Sequence, residues 1–312
     1  MLPGDDASRV QRVRVACSGG ADSLALAAGL AWVDAHEPDP LRQSSGLVVD
    51  HGLQDGSAGV AAGVVEMLSD MGLTAAAVRV DVAVGSDGLE AAARDARYSA
   101  LADVLTPSGD AADLVLVGHT MDDQAETVLL GLARGSGTRS LAGMPVSWQA
   151  GGVTFARPLL GLRRAATRQA CADWGLAPWD DPMNDDDHFA RVRARRLLPS
   201  LEQALGPGVI EALARTAGLA RTDADYLDEQ AEGLVPSSDG AGVLPVPLVL
   251  STPAALRGRV ARAWLARQGI TELSFERTQA VLALVDDWRG QAGVDLPGGY
   301  RVVRRSGALA LT

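Results

Sequence analysis

Six consecutive residues form the segment of this chain best suited to binding a phosphorylated ligand. They are Ser18, Gly19, Gly20, Ala21, Asp22 and Ser23. They follow an apolar strand pattern and open a helical one, and the paired glycines permit a sharp turn with exposed N–H groups. N–H donors at a helix N-terminus, with serine hydroxyls beside them, favour phosphate binding. Asp22 adds a carboxylate that could hold Mg²⁺ against those phosphates.

A second polar segment follows the fourth predicted strand and begins a helix. Its ionisable residues are His119, Asp122, Asp123 and Glu126. Thr120 and Asp123 have the spacing of an approximate capping box, which is a structural explanation for the first acids. Glu126 is less well explained, because it shares a helix face with Asp122 and the two repel unless a cation lies between them. The cluster predicts a site for Mg²⁺, with Asp22 and Asp122 as ligands, or for an amine substrate.

Other candidate residues are explained as well by structure as by function. Asp50 and His51 end the second predicted strand, at the edge of an open α/β sheet where ligands bind, but an Asx turn with a surface histidine is equally consistent. Arg94 and Arg97 share one face of a predicted helix with Glu90. That spacing is typical of an exposed ion pair or of a guanidinium directed at a carboxylate or phosphate.

Arginines occur in two clusters that could contact a polyanion. The clusters consist of Arg134 and Arg139 in a glycine-rich loop, and of Arg191, Arg193, Arg195 and Arg196 in a helical segment. A charge run is usually a solvated face. The net charge of −11 opposes non-specific nucleic-acid binding, so any contact with a polyanion must be a local basic patch.

The composition excludes several classes of protein. The two cysteines, Cys17 and Cys171, lie far apart without a CxxC pair, which argues against a disulfide framework, a zinc ribbon or a dithiol redox pair. The sequence contains no lysine and no run of 18 apolar residues. Its start lacks the basic-then-apolar pattern of a signal segment, so we expect a cytoplasmic protein.

The pattern of elements predicts the fold class. Strand patterns at 13–17, 46–50, 75–82, 113–118 and 152–160 alternate with helical patterns. We therefore predict an α/β fold with a doubly wound, mainly parallel, five-stranded sheet and a second, smaller, mainly helical domain. The segment EQALGPG marks the boundary. The domains are predicted at 1–205 and 206–312, the second ending in a short β segment.

Seven motifs in order resemble those of the tRNA(Ile)-lysidine synthetase family, a branch of the PP-loop ATP pyrophosphatases with an adenine nucleotide alpha hydrolase-like fold. They are SGGADS at 18–23, VDHGL at 49–53, GLEAAARDARY at 88–98, GHTMDDQAET at 118–127, RGSG at 134–137, ARPLL at 156–160 and RVRARRLLP at 191–199. The first motif indicates only the superfamily. The DDQAET block and the EAAARDARY helix are much more specific.

The resemblance implies a cytoplasmic ligase that uses ATP, Mg²⁺ and L-lysine to modify the wobble cytidine of a CAU-anticodon tRNA(Ile). Residues 18–23, with Asp50 and His51, would bind ATP, and His119 would lie near the nucleotide or target base. Asp123 and Glu126 would hold the lysine ammonium, and Arg94 or Arg97 its carboxylate. The two arginine clusters would contact tRNA. The general base stays open, and a homodimer is one expectation for the oligomeric state.

This sequence departs from the family pattern at two positions and has two functional rivals. Thr120 stands where a second histidine is common, and Gln54 where a basic residue is common. Longer members add a domain for the acceptor stem, so tRNA selection here is expected to rely on residues 209–312. A tRNA 2-thiolation enzyme of the same fold would need a cysteine pair or an iron–sulfur CxxC. A non-enzymatic nucleotide-binding module would leave the acid cluster without a role.

Overall fold

The structure is a computed structural model, and it describes residues 11–50, 52, 56–79, 112–135, 137–181, 186–236, 242–271 and 273–312. The chain divides into two compact units. One consists of Met1–Leu130 and Gly143–Arg215, and the other of Gly131–Ala142 and Thr216–Thr312. The functional domains proposed at 1–205 and 206–312 stay a prediction.

The first unit contains a six-stranded sheet. Its strands are β1 (Gln11–Ala16), β2 (Arg42–Asp50), β3 (Thr74–Arg79), β4 (Ala112–Val117), β5 (Ser147–Ala150) and β6 (Val153–Ala156). Their order across the sheet is β3-β2-β1-β4-β6-β5. All neighbours pair in parallel except β5 and β6, which form an antiparallel hairpin. The predicted α/β fold with a mainly parallel sheet is confirmed.

The number of strands differs from the prediction by one. The fifth predicted strand, 152–160, contains β6, and the edge strand β5 before it was not predicted. β5 has only four residues, SWQA, and its side chains are half-buried or exposed. A short edge strand has little apolar alternation from which to recognise it.

The strand order creates a crevice where the connections change direction. From β1 the chain moves outward through β2 to β3 on one side, and β4 then returns to pair with the other side of β1. In an open α/β sheet, ligands bind at the carboxyl ends of the strands beside such a switch point. The glycine-rich segment follows β1 and the acidic segment follows β4, so topology brings both to this crevice.

Helices cover the face of the sheet to which Val13, Val15 and Val48 point. The α-helices within the described ranges are α1 (Ala21–His36), α2 (Ser57–Asp70), α3 (Met121–Arg134), α4 (Thr138–Leu141), α5 (Arg164–Asp173), α6 (Ala190–Leu205), α7 (Val209–Leu234), α8 (Val246–Ser251), α9 (Ala254–Ala266) and α10 (Phe275–Asp286). Side chains of α1 and α2 pack with those strand residues in one apolar cluster. Leu47 and Phe155 belong to a cluster on the opposite face, as alternation along a strand requires.

The second unit has a core of its own. Val260 and Trp264 of α9 pack against Val281 and Leu284 of α10. A small antiparallel sheet in the order β7-β10-β9-β8 completes the unit. Its strands are β7 (Leu244–Pro245), β8 (Val294–Asp295), β9 (Arg301–Arg305) and β10 (Ala308–Leu311). The helices and the C-terminal β segment agree with the prediction from the sequence.

Some predicted features lie outside the described residues. These are the helix at 88–105 with Glu90, Arg94 and Arg97, and also His51 and Gln54. Of the helices in the described ranges, none combines the length and hydropathy needed to cross a bilayer.

Candidate functional site

The glycine-rich segment forms a turn that only glycine can make at position 19. Gly19 has φ +84°, and a Cβ atom there would lie 2.6 Å from Cγ2 of Val64. The backbone N–H of Trp179 donates to the Gly19 carbonyl at 2.9 Å. Among the described residues, no side chain caps the N-terminus of α1 at Gly20. The N–H groups of this first turn are therefore suited to an anionic ligand.

Ser23 shapes this turn. Its side chain is buried, and its hydroxyl donates to the Gly20 carbonyl at 2.9 Å and accepts from the Ser18 N–H at 3.2 Å. A hydroxyl has one proton, which is used here within the turn. In this structure Ser23 therefore holds the loop conformation, and its predicted contact with phosphate stays a prediction. Ser18 is exposed.

The acidic segment lies directly against this turn because of a second glycine. A Cβ atom at Gly118 would lie 3.0 Å from the Asp22 backbone and from Cα of Ser23. Any side chain at this position would push the end of β4 away from the start of α1. Gly118 thus allows His119 and the residues after it to approach the phosphate-binding turn.

Arg164, at the start of α5, joins the two segments. Its guanidinium lies 3.4 Å from Oδ2 of Asp22, 2.8 Å from Oδ1 of Asp123 and 3.2 Å from Oε1 of Glu126. Burial disfavours the charge of Arg164, but the carboxylates more than compensate and its pKa is raised. One cation therefore balances acids from both segments, which makes the turn and the acid cluster a single site.

The environments of Asp22 and Asp123 shift their pKa values in opposite directions. Burial raises the pKa of Asp22, although Thr167 donates a hydrogen bond to it and Arg164 opposes the shift. Burial also acts to raise the pKa of Asp123, but the charge of Arg164 and the hydrogen bonds from Thr120 act against it, and this pKa is lowered. The N–H and hydroxyl of Thr120 both donate to Oδ2 of Asp123 at 2.8 Å. Thr120, which stands where the family commonly has a second histidine, thus orients the carboxylate of Asp123.

Glu126 is fully buried, which is unusual for a carboxylate. Its Oε1 accepts from Arg164 and, at 2.9 Å, from Nε of Arg195. Nε of Arg191 lies 3.9 Å from Oε2. Within the described residues, Oε2 accepts no hydrogen bond. A buried acceptor that lacks a donor can bind a donor from a ligand.

These contacts divide the arginine cluster of α6 into two pairs. Arg191 and Arg195, one helical turn apart, face Glu126. Arg193 donates to the carbonyls of Asp187 and His188, and Arg196 pairs with Asp187 at 2.5 Å. The helical period turns Arg191 and Arg195 towards the buried acid, and contact of the four arginines with tRNA stays a prediction.

Asp122 is engaged separately from the other acids. Its Oδ2 accepts a hydrogen bond from the backbone N–H of Arg164 at 2.8 Å and another from the side-chain Nε of Arg163 at 3.3 Å. In the described part of the chain, no group of three or more His, Cys, Asp or Glu side chains could enclose a metal ion. A cation bound by one carboxylate and by substrate phosphates needs no such group, and Asp22 fits that role. Asp122 as a magnesium ligand stays a prediction.

The remaining predicted residues lie at the ends of elements. Asp50 is buried at the end of β2, where its Oδ1 accepts from the Gly52 N–H at 3.0 Å, as in an Asx turn. Arg139 pairs with Asp225 at 2.6 Å and also with Asp228, and Arg134 is exposed. Both arginines belong to the second unit.

The sequence did not identify Arg157, Arg164 and Thr167 as site residues. Arg164 and Thr167 open α5, more than 140 positions from Asp22. A weak signal existed for Arg157, because it follows the last predicted strand at the edge of the sheet where ligands bind. For Arg164 we find no local signal in the sequence.

Removing Arg164 should destabilise the protein at neutral pH. Arg164→Met leaves Asp22, Asp123 and Glu126 without their shared cation, and breaking a buried ion pair from one side costs about 3–5 kcal/mol. Urea unfolding should show the loss. The loss should shrink as the pH falls, because protonation removes the charge that Arg164 balances. Arg168→Met, an exposed position on the same helix, is the control. Equal stability of the two variants at neutral pH would contradict this role.

The fold and the turn together define a PP-loop domain. A family model described as PP-loop domain matches residues 4–201, and one described as TilS substrate binding domain matches residues 244–309. A solved structure, the U34-tRNA thiolase NcsA from Methanococcus maripaludis, superposes with a TM-score of 0.56 at 20% identity. The match covers 69% of this chain and 74% of that one, and it supports the fold alone.

Curated relatives define the family more narrowly. The tRNA(Ile)-lysidine synthase of Salinispora arenicola is 50% identical over 308 residues, covering 96% of this chain and 90% of the relative. That of Rhodococcus erythropolis is 50% identical over 310 residues, with the same coverage. The chain belongs to the tRNA(Ile)-lysidine synthase family.

Proposed function

We propose that this chain is an ATP-dependent ligase that joins the ε-amine of L-lysine to C2 of the wobble cytidine, position 34, of the CAU-anticodon tRNA(Ile). The products besides the modified tRNA are AMP and pyrophosphate. The observation that carries the proposal is the contact of Arg164 with both the phosphate-binding turn and the acid pair. Family membership supports the same reaction. Since tRNA is its substrate, we propose the cytoplasm as its location.

The phosphate-binding turn is proposed to hold ATP. The N–H groups of residues 19–22, with the hydroxyl of Ser18 beside them, would bind its phosphates at the start of α1. Asp22 lies beside this turn and would hold Mg²⁺, which when bound would neutralise charge on the leaving pyrophosphate. The N–H groups of the turn are already oriented before the reaction begins, so they would stabilise charge on the leaving pyrophosphate without having to reorganise.

The acid pair is proposed to hold the lysine ammonium. Glu126 offers the buried Oε2, and Asp123 is kept ionised by its neighbours, as its lowered pKa shows. An ammonium placed there gains charge-assisted hydrogen bonds in a water-poor environment. For the lysine carboxylate, Arg94 and Arg97 remain our candidates.

The reaction has two steps. O2 of the cytidine attacks the α-phosphorus of ATP, a P–O bond forms, and the bond to pyrophosphate breaks. The lysine ammonium then gives up a proton to a base that stays unassigned, the freed amine attacks C2, a C–N bond forms, and the C2–O bond breaks with AMP as the leaving group. The first step is needed because a carbonyl oxygen is a very poor leaving group. The cytidine must leave its stack to react, which costs little in a single-stranded loop.

The contacts with the tRNA backbone are proposed for arginines that do not face Glu126. These are Arg193 and Arg196 in the first unit, and Arg134 and Arg139 in the second. Each would bind phosphate oxygens and so fix the position of the tRNA without reading its sequence. Because the protein as a whole is acidic, binding of a polyanion requires such basic side chains on its surface.

Labelled lysine tests the proposed function directly. The protein should transfer it, with ATP and Mg²⁺, to a tRNA(Ile) transcript with a CAU anticodon, and release AMP and pyrophosphate in equal amounts. A transcript with uridine at position 34 is the matched control and should stay unlabelled. Pyrophosphate release without any lysine transfer would contradict the proposal.

The two rival functions are less well supported. An iron–sulfur cluster is held by several cysteine thiolates, and this chain has only Cys17 and Cys171. Both are buried, and burial raises the pKa of each thiol, which disfavours the reactive thiolate. A purely nucleotide-binding module would bind ATP but release no AMP.

A further inference from the structure

His119 and Arg157 lie on neighbouring strand ends. His119 follows β4 and Arg157 follows β6, and these two strands pair in parallel. Nε of Arg157 lies 3.0 Å from Nδ1 of His119. The contact thus joins a residue predicted to lie near the nucleotide with one that had no predicted role.

The guanidinium of Arg157 is fixed from several sides. It is buried, with 7% of the residue exposed. Nη1 donates to the Pro145 carbonyl at 2.7 Å. The guanidinium carbon lies 3.8 Å from the ring centroid of Trp148, a cation–π contact, and Trp148 is itself stacked on Phe155. Because these contacts hold it, Arg157 presents its Nε–H to His119 in one orientation.

This hydrogen bond determines which ring nitrogen carries the proton. A guanidinium only donates, so Nδ1 of His119 must be the acceptor and must lack a proton. The neutral ring then has its proton on Nε2. Adding a second proton would place two N–H groups face to face.

We propose that Arg157 is a positioning residue that holds His119 as the neutral Nε2–H tautomer. In this form His119 donates a hydrogen bond to a phosphate or carbonyl oxygen of the reacting groups and does not act as their general base. The tautomer rests on the structure alone, whereas its use in the reaction rests on the proposed function.

Nitrogen NMR of the four histidines tests the tautomer without any substrate. His36 provides an internal contrast, since its Nδ1 lies 2.8 Å from the Trp32 carbonyl, which only accepts. We expect a protonated Nδ1 at exposed His36 and a bare Nδ1 at His119, whose signals are assigned by their loss in His119→Gln.

Arg157→Met tests whether Arg157 determines the tautomer of His119. Without the donor, His119 should show both tautomers. Circular dichroism checks the folding of the variant. If the buried substitution prevents folding, the wild-type spectrum still decides, because a protonated Nδ1 at His119 overturns the proposal.

A pair of substitutions at His119 tests its use in the reaction. The amide nitrogen of His119→Gln can replace the Nε2–H donor but cannot accept a proton as a base. We expect this variant to lose no more than about tenfold in ligation rate, and His119→Ala to lose about 10²–10³-fold. Equal losses in both variants would contradict donation. Failure of wild-type protein to transfer lysine would instead overturn the proposed function and leave the NMR result intact.

Discussion

Asp22→Ala should abolish release of pyrophosphate in the presence of ATP, Mg²⁺ and tRNA. Asp22 lies at the first turn of α1 beside the phosphate-binding loop, so the substitution removes the proposed magnesium carboxylate and a partner of Arg164. Loss of one electrostatic group from a transition state costs about 10²–10³-fold in rate. A single-turnover assay of pyrophosphate release without lysine isolates this step.

The control for this prediction is Asp70→Asn, at an exposed position of α2. It should react like the wild type. The pH profile adds a second measurement, because the raised pKa of Asp22 means that it is protonated at a higher pH than an ordinary aspartate. The adenylation rate should therefore fall as the pH is lowered through that pKa. Rapid pyrophosphate release by Asp22→Ala would exclude the proposed role.

Glu126→Ala should raise the Michaelis constant for lysine and leave pyrophosphate release much less affected. The buried carboxylate is proposed to bind the ammonium, and a hydrogen bond to a charged group contributes about 1.5–3 kcal/mol. The expected increase is thus about 10- to 100-fold, measured by lysine titration of the ligation rate. The isosteric Glu126→Gln should behave in the same way with less disturbance of packing.

Stability must be measured alongside, because Glu126 also balances Arg164 and Arg195. Glu66→Gln, exposed on α2, is the matched control for loss of one negative charge. A folded Glu126→Gln protein with unchanged use of lysine would place the amine site elsewhere. Loss of both steps together would indicate a structural role for Glu126.

The fold class was predictable because its signals are local. The alternation of Val13 and Val15, the paired glycines and the helical pattern after Asp22 lie within a short segment, and each obeys a rule of backbone geometry. Strand β5 has only four residues, which is too few for an apolar alternation to be recognised from the sequence. Its place in the sheet is decided by pairing with β6.

The chemistry of the site was predictable in part. The residue types of the turn and the acid cluster indicated phosphate and amine binding, and Glu126 stood out because two acids one turn apart repel. The sequence did not indicate that Arg164 is the cation that neutralises these acids. Helical spacing placed Arg191 and Arg195 on one face, but only packing showed that this face meets Glu126.

By itself, then, the sequence determined the local elements, the phosphate-binding turn and the family to which its motifs point. Only the tertiary structure decided that Arg164 joins Asp22 to Asp123 and Glu126, and that Arg157 selects the tautomer of His119. The physical reason is that these contacts depend on strand order. Residues 38 to 142 positions apart meet because β4 returns to lie between β1 and β6.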